Sequence, residues 1–326
     1  MTFNPLKITT LSSISLLAMV SVNLSAASLS GLSQYKGSGS ITQGLAKTIE
    51  PNIFDCKSGR SRMAGIGEIS DSKGKVWTVP ATNHFTTAPK AIDLYEQCAG
   101  ITHSSIADVN QADVPLVVVD PDGEEITGYI FADNYFELYI NGKMIAVDTV
   151  PFTPFNSSLV KFKVRTPYTI AIKVIDWEEN LGLGTEKNRG KAYHPGDGGF
   201  IASFSDGTVT NEDWQAQTFY TSPIYDLTCL TESKGKRMSI TCSTLGTDEG
   251  QDAFAVHWQT PNNWMTKEFD SSLWPQATLY TEDEIGVNNK KAYMNFIDKF
   301  SGAGASFIWS TNVVLDNEVL LRYTVK

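Results

Sequence analysis

The sequence has few basic residues for its length: 26 Lys and Arg stand against 36 Asp and Glu, which gives a formal net charge of −10. Nucleic-acid partners require a basic face that neutralises phosphates, so the balance argues against them. An acidic chain that also carries aromatic residues suits neutral polyols or bound cations, or is acidic only for solubility.

Catalytic motifs are missing as well. The chain has no Gly-rich phosphate loop, no G-x-S-x-G elbow and no H-E-x-x-H. It has no C-x-x-C, which leaves neither a zinc knuckle nor a thioredoxin-like redox site. A hydrolase would need two carboxylates about 5–10 Å apart in a cleft, which abundance alone does not supply. The sequence favours binding over catalysis and leaves the enzyme question open.

Helical periodicity is scarce, and only KAIDLYEQ (90–97) suggests a helical turn or two. Short alternating runs separated by Gly, Pro, Asn and Asp predict strands instead. These runs lie at 76–79, 114–119, 126–132, 136–140, 159–164, 168–175, 199–204, 305–310 and 319–325. Many short strands at this spacing predict an all-β sandwich or barrel.

The N-terminus reads as a secretory signal over residues 1–27, with Lys7 before an apolar run and cleavage after Ala27. No later stretch approaches the ~20 apolar residues of a membrane span, so we expect no transmembrane segment after cleavage. The protein is therefore predicted to be exported, either to the periplasm or outside the cell. Residues 28–52 are Ser/Gly-rich and predict a flexible leader.

Four cysteines permit three pairings, and export permits disulfides. Pairing by proximity gives Cys56–Cys98 and Cys229–Cys242. The first pair would lie in a small disulfide-bonded N-terminal subregion, residues 53–112, that precedes a β-sandwich over residues 113–326.

The most informative stretch is IFADNYFELYINGK (130–143), in which apolar residues alternate with aromatic and polar ones. Its Asn141-Gly142 pair is a strong hairpin signal. The alternation predicts a half-buried strand of an antiparallel sheet, and it leaves open whether the outer face binds anything.

ADNYFELYINGK (132–143) resembles the strand–hairpin of galactose-binding-domain-like jelly rolls, a family of β-sandwiches in carbohydrate-active proteins. The resemblance extends to further segments: FTPFN (152–156), YTIAIKVIDW (168–177), FSDGTVTNEDWQAQ (204–217), FDSSLWPQA (269–277) and FIWS (307–310). It implies a jelly-roll-type β-sandwich and carbohydrate as the leading ligand class.

The segments stand in permuted order, because the hairpin half (113–222) precedes the half that usually opens the domain (254–326). Either one sandwich is circularly permuted or two incomplete domains lean on each other. Neither half alone has enough strands to cover a sheet face, which favours one shared sandwich.

Two loops are candidate ligand sites, because loops at sandwich ends often carry binding residues. In DWEENLGLGTE (176–186), Trp177 is a candidate platform for a sugar ring; alternatively it is a core residue. YHPGDGG (193–199) is either a second binding loop or a plain Gly-rich turn. The predicted ligand-binding residues are Trp177, Glu178, Glu179, Asn180, Tyr193, His194 and Asp197.

Metal binding is the alternative. His84 and His103 flank Cys98 and are candidate copper ligands, whereas DPDGEE (120–125) offers Asp120 and Asp122 to calcium. Each has an ordinary structural explanation, since two histidines at arbitrary spacing are weak evidence and Pro-Asp-Gly is a common turn. The sequence thus predicts an exported, non-catalytic binding protein for carbohydrate or another small polar ligand. A metal-binding (copper or calcium) protein and a structural module without a small ligand remain alternatives.

Overall fold

The computed structural model describes residues 35–56, 62–186, 194–245 and 250–326, with His194 described by its backbone only. The predicted signal sequence (residues 1–27) and Tyr193 lie outside the described residues. No helix in the described part of the chain is long and apolar enough to cross a membrane.

Strands dominate the described structure. They are β1 (Ser40–Gln43), β2 (Lys47–Glu50), β3 (Ile66–Ser70), β4 (Val76–Val79), β5 (Ile92–Glu96), β6 (Ile101–Thr102), β7 (Leu116–Val118), β8 (Glu124–Asp133), β9 (Tyr135–Ile140), β10 (Lys143–Val147), β11 (Ser157–Val164), β12 (Tyr168–Ile175), β13 (Thr185–Glu186), β14 (His194–Pro195), β15 (Gly199–Phe204), β16 (Gln215–Ile224), β17 (Thr231–Ser233), β18 (Lys236–Met238), β19 (Phe254–His257), β20 (Thr278–Tyr280), β21 (Phe307–Trp309) and β22 (Asp316–Val325).

Helices in the described ranges are short. The α-helix α1 spans Lys291–Met294, and 3₁₀ turns lie at Ile106–Asp108, Gln111–Asp113, Leu227–Cys229, Ile297–Lys299 and Ser301–Ala303. The all-β prediction is therefore confirmed.

Two large sheets form a sandwich. A seven-stranded sheet runs in the order β1-β19-β16-β22-β12-β9-β10, and an eight-stranded sheet contains β20-β21-β15-β8-β11-β5-β6 with β7 beside β11. Apolar side chains from both sheets, including Ile130 and Phe162 from one and Leu138 and Ile172 from the other, share one core. Their burial is the main favourable term holding the sheets face to face.

The C-terminal segment completes both sheets. β22 lies between β12 and β16, and β21 pairs with β15. This is the pairing that the order of the sequence motifs predicts, since residues from 269 onward share a core with strands from 126–220. Ser40–Gln43 also pairs with β19, so the predicted leader over residues 28–52 is wrong from residue 40 onward.

The structure contains the predicted hairpin at Asn141-Gly142 but not the helical turn predicted for residues 90–97. Asn141 and Gly142 have φ values of 51° and 83°, the two positive angles that a tight type I′ hairpin turn requires. Residues 90–97, predicted as helical, instead contain β5, which pairs with β11 and buries Leu94 and Tyr95. Sheet pairing overrides weak local helix preference there.

Both predicted disulfides, Cys56–Cys98 and Cys229–Cys242, are present. Removing Cys56–Cys98 by a C56S/C98S substitution is expected to lower the free energy of unfolding by about 4 kcal/mol, and C229S/C242S by about 3 kcal/mol. The first pair closes the longer loop, with a sequence separation of 42 against 13, and so restricts the unfolded chain more. Urea titrations of the two variants check the order, and an equal or reversed order contradicts it.

Candidate functional site

Charged side chains line the face of the seven-stranded sheet that points away from the core. Lys173 on β12 lies opposite Glu137 on β9. Glu318 on β22 pairs with Ile175, which is two residues from Lys173 on β12, so Glu318 lies on the same face of the sheet. The Lys173 Nζ is 3.6 Å from Glu318 Oε1 and donates to the Thr82 carbonyl oxygen at 2.7 Å. All three charged side chains are buried, which corrects the prediction that the outer face of this sheet is half exposed.

Two segments cover this face. Trp258, Trp264 and Trp274 pack on it from one side, over Tyr139 and Leu320. Phe85 and Ala81 pack on it from the other side, against Tyr135 and Ile175. The gap that remains between the two covering segments is a cleft with a volume of about 420 Å³.

An aromatic stack forms one wall of the cleft. The rings of Trp77 and Tyr220 both stack on His257, with centroid distances of 5.1 and 4.8 Å. Trp77 is partly exposed, and the exposed Lys75 places its Nζ 3.6 Å from the centroid of the Trp77 ring. Burial lowers the pKa of His257 to about 3, so this imidazole stays neutral, with its Nε2 2.9 Å from Thr42 Oγ1.

The rest of the lining mixes polar and apolar side chains. Besides the residues already named, the cleft is lined by Val76, Thr78, Pro80, Phe219, Gln259, Thr260, Pro261, Asn262 and Met265. Lys75 also donates to Gln259 Oε1 at 3.1 Å. The cleft therefore combines aromatic rings with amide, hydroxyl, cationic and anionic groups. Ligand pockets of this size commonly have this mixture.

A buried carboxylate near the cleft orients a histidine. Glu137 accepts hydrogen bonds from Tyr135 and Tyr139 at 3.2 and 2.9 Å and from the His84 backbone, and its Oε2 lies 3.1 Å from His84 Nδ1. Burial alone would raise the pKa of Glu137, but the hydrogen bond to His84 and the charge of Lys173 outweigh it and lower the pKa. The hydrogen bond to Glu137 in turn raises the pKa of His84.

The loops that the sequence analysis selected lie side by side. β13 pairs with β14, and the Gly196 backbone N–H donates to Glu178 Oε1 at 3.0 Å. Trp177, however, is fully buried and donates from Nε1 to the Gly65 carbonyl oxygen at 3.1 Å. The ring therefore offers no exposed face for a sugar, and its contacts are those of the core alternative.

The other residues of these loops are placed as follows. Glu178 is buried, and Asn180 and Asp197 are partly exposed. Glu179 is also partly exposed, in the loop that follows β12. Burial, followed by repulsion from neighbouring carboxylates, raises the pKa values of Asp133, Asp176 and Glu178 well above their ordinary range. The loops thus hold a buried acidic cluster rather than a sugar platform.

The metal candidates are separate from this cluster. In the part of the chain that the structure describes, no three His, Cys, Asp or Glu side chains are grouped so that they could hold one metal ion. His84 is tied to Glu137, and the His103 carbonyl oxygen accepts from Asn295 at 2.8 Å. Asp122 forms an exposed ion pair with Arg165 at 3.2 Å, and Asp120 accepts from the Arg165 backbone N–H. The contacts of Asp120 and Asp122 are those of an ordinary surface turn.

The sequence analysis did not predict the cleft, although the sequence contains a sign of it in charged residues that stand within apolar strands. Lys173, Glu137 and Glu318 each interrupt a strongly apolar strand, and charges in such positions are rarely buried without partners. No protein-family model matches the sequence, and no curated protein or solved structure matches it.

Proposed function

We propose that this chain is an exported, non-catalytic carbohydrate-binding protein whose site is the cleft on the outer face of the seven-stranded sheet. The proposal moves the site from the predicted end loops to the cleft. The observation that carries it is the meeting of a partly exposed Trp77 with buried, oriented charges, Lys173 and Glu318, in one cavity of about 420 Å³.

The chemistry of a sugar fits this arrangement. A pyranose has apolar C–H faces and a rim of hydroxyls, so it requires a flat apolar partner and directional donors and acceptors together. Trp77 supplies the flat apolar surface, and Gln259, Asn262 and Glu318 supply the hydrogen-bond donors and acceptors. Lys75, which covers the Trp77 ring, is exposed, and contacts of exposed charged side chains are weak, so a ligand displaces it at small cost.

Fold and compartment support the same proposal. We further propose that the sandwich is of the jelly-roll type that galactose-binding-like domains have, with its motifs in permuted order. Two disulfides are typical of proteins that mature outside the cytoplasm. Periplasmic or extracellular polysaccharide would be the accessible ligand pool.

Replacing Trp77 by alanine is expected to weaken oligosaccharide binding by about 10-fold to 100-fold, because stacking on a ring contributes about 1–3 kcal/mol. The folded protein should change little, since Trp77 is only partly buried. Glycan-array screening followed by calorimetry with the best oligosaccharide measures the loss. Y225A is the matched control, because Tyr225 is an exposed aromatic outside the cleft, 39% accessible.

Two results count against the proposal. If the wild-type protein retains no glycan across the array, carbohydrate is the wrong ligand class. If W77A and Y225A bind the selected oligosaccharide as tightly as the wild type, the cleft is the wrong site.

A further inference from the structure

The charges that line the cleft are unevenly matched. The charged side chains of the lining are Lys75, Lys173 and Glu318. Lys173 and Glu318 are both buried and form an ion pair, with 3.6 Å between Nζ and Oε1. Each of these two charges is therefore offset by the other. Lys75 stands outside this pair and is exposed, so its ammonium is the charge of the lining that a ligand meets first.

The contacts of the Lys75 ammonium are with neutral groups. Its Nζ donates to Gln259 Oε1 at 3.1 Å and lies 3.6 Å from the centroid of the Trp77 ring. Within the described ranges, no carboxylate oxygen lies within 4.0 Å of it. Asp71 is the nearest carboxylate along the chain, and its Oδ1 accepts from the backbone N–H groups of Lys73 and Lys75 at 2.9 Å each. Lys75 thus lacks an anionic partner in this part of the structure.

Lys75 and Trp77 act on a ligand together because they are two residues apart at the start of β4 (Val76–Val79). Residues at this spacing in a strand project to the same side. A sugar ring that stacks on the indole displaces the ammonium from it, but the lysine stem keeps the ammonium beside the edge of that ring. The charge therefore becomes a neighbour of the bound sugar.

The indole N–H of Trp77 also calls for an acceptor. Its Nε1 is a buried atom with no hydrogen-bond partner in the part of the chain that the structure describes. Buried indole N–H groups usually have an acceptor. The two side chains that would hold the sugar ring thus carry one cationic donor without a carboxylate partner and one neutral donor without an acceptor. A ligand rich in acceptor oxygens suits both.

These observations rank the sugars that the cleft can take. A cationic amino sugar is repelled by the displaced ammonium, and a neutral sugar leaves that ammonium with neutral partners. An anionic group on the ring forms a charge-assisted hydrogen bond with it, which is shorter and stronger than a neutral one. The net charge of −10 on the whole chain opposes this little, because charges farther than ~8 Å are screened at physiological salt.

We propose that the cleft selects acidic sugars, whose anionic group pairs with Lys75 while the sugar ring stacks on Trp77. This inference rests on the proposed function and names the class of sugar. The anionic group is a carboxylate in uronic acids and a sulfate ester in sulfated sugars. The two share the charge and the acceptor oxygens that the lysine recognises, so the experiment includes both.

The test is calorimetry on the full mature chain with matched oligosaccharides. The carboxylated probes are oligosaccharides of galacturonate, alginate and hyaluronan, each paired with its neutral methyl ester. The sulfated probes are carrageenan oligosaccharides, paired with their desulfated forms. The best acidic probe is expected to bind about 3-fold to 10-fold more tightly than its neutral counterpart. This advantage should shrink between 50 and 500 mM sodium chloride, because salt screens an exposed charge.

Three variants assign the effect to residues. K75Q removes the charge and keeps a side chain of similar shape, so it should lose the preference for the acidic probe and bind the neutral one at least as tightly as the wild type. W77A should weaken binding of both probes. K73Q is the matched control, because Lys73 is an exposed lysine in the turn before β4 and outside the cleft lining, and it should keep the preference.

The outcomes separate this inference from the proposed function. Equal binding of acidic and neutral probes by the wild type, or an undiminished preference in K75Q, overturns the selection of acidic sugars and leaves a neutral-sugar site. Loss of the preference in K73Q as well as K75Q also overturns it, since general charge then accounts for the effect. If no probe binds, or W77A binds every probe as the wild type does, the proposed function fails and this inference fails with it.

Discussion

Replacing Trp177 by alanine is expected to lower the free energy of unfolding by about 3–5 kcal/mol, the usual cost of removing a buried tryptophan. The ring is fully buried, its Nε1 donates to the Gly65 carbonyl oxygen, and its edge contacts Tyr135 at a centroid distance of 5.8 Å. The truncation leaves a cavity among Tyr135, Phe152 and Ile175 and an unpaired carbonyl oxygen. Urea titration followed by circular dichroism measures the loss.

W77A provides the comparison, because it removes the same side chain from a partly exposed position. It should cost less stability than W177A while it weakens glycan binding. The reverse pattern, in which W177A keeps the wild-type stability and loses the glycan, would restore Trp177 as the sugar platform.

A second large effect is expected from pH. Burial raises the pKa of Asp148 to about 8, although Oδ1 accepts from Val150 N and Asn156 Nδ2 at 3.1 and 2.6 Å. The unfolded chain ionises this group near pH 4, whereas the folded protein keeps the proton until about pH 8. Its stabilising contribution is therefore complete below pH 4 and is lost as the pH rises to 8, at about 1.4 kcal/mol per pH unit.

D148N removes this titration and retains an oxygen that accepts both hydrogen bonds. Between pH 6 and pH 8 the wild type should lose about 2–3 kcal/mol more stability than D148N. The pH series of stability measurements ends at pH 8 because burial lowers the pKa of Lys90 to about 8. Above pH 8 the deprotonation of Lys90 makes stability rise with pH, which opposes the effect of Asp148. Parallel pH slopes for the two proteins would show that Asp148 is ionised in the fold; D122N should follow the wild type.

The strands were the most predictable part of this protein. VWTV coincides with β4, YTIAIKVI with β12 and GFIASF with β15, because alternation and turn residues are local signals. The hairpin was predictable for the same reason, since Asn-Gly tolerates two positive φ angles. The helical turn predicted for residues 90–97 was wrong, because the strand that forms there depends on β11, a partner more than sixty residues away.

The site was much less predictable. Trp77, Lys173, His257 and Glu318 come from four distant segments, and only strand register brings them together. The two end loops lie side by side because they flank a short stretch of chain, and only this part of the arrangement follows from their spacing in the sequence. Burial, which decided the role of Trp177, depends on the packing of Gly65 and Tyr135 from elsewhere in the sequence and has no local signal.

The central claim is that the outer-face cleft binds carbohydrate, and a crystal structure of the wild-type protein with its best array oligosaccharide tests it most directly. We expect a sugar ring against the indole of Trp77 in place of the Lys75 ammonium, with ring hydroxyls bonded to side chains such as Glu318 or Gln259. A sugar bound instead at residues 176–186 and 194–199, with the cleft unchanged, would contradict the account.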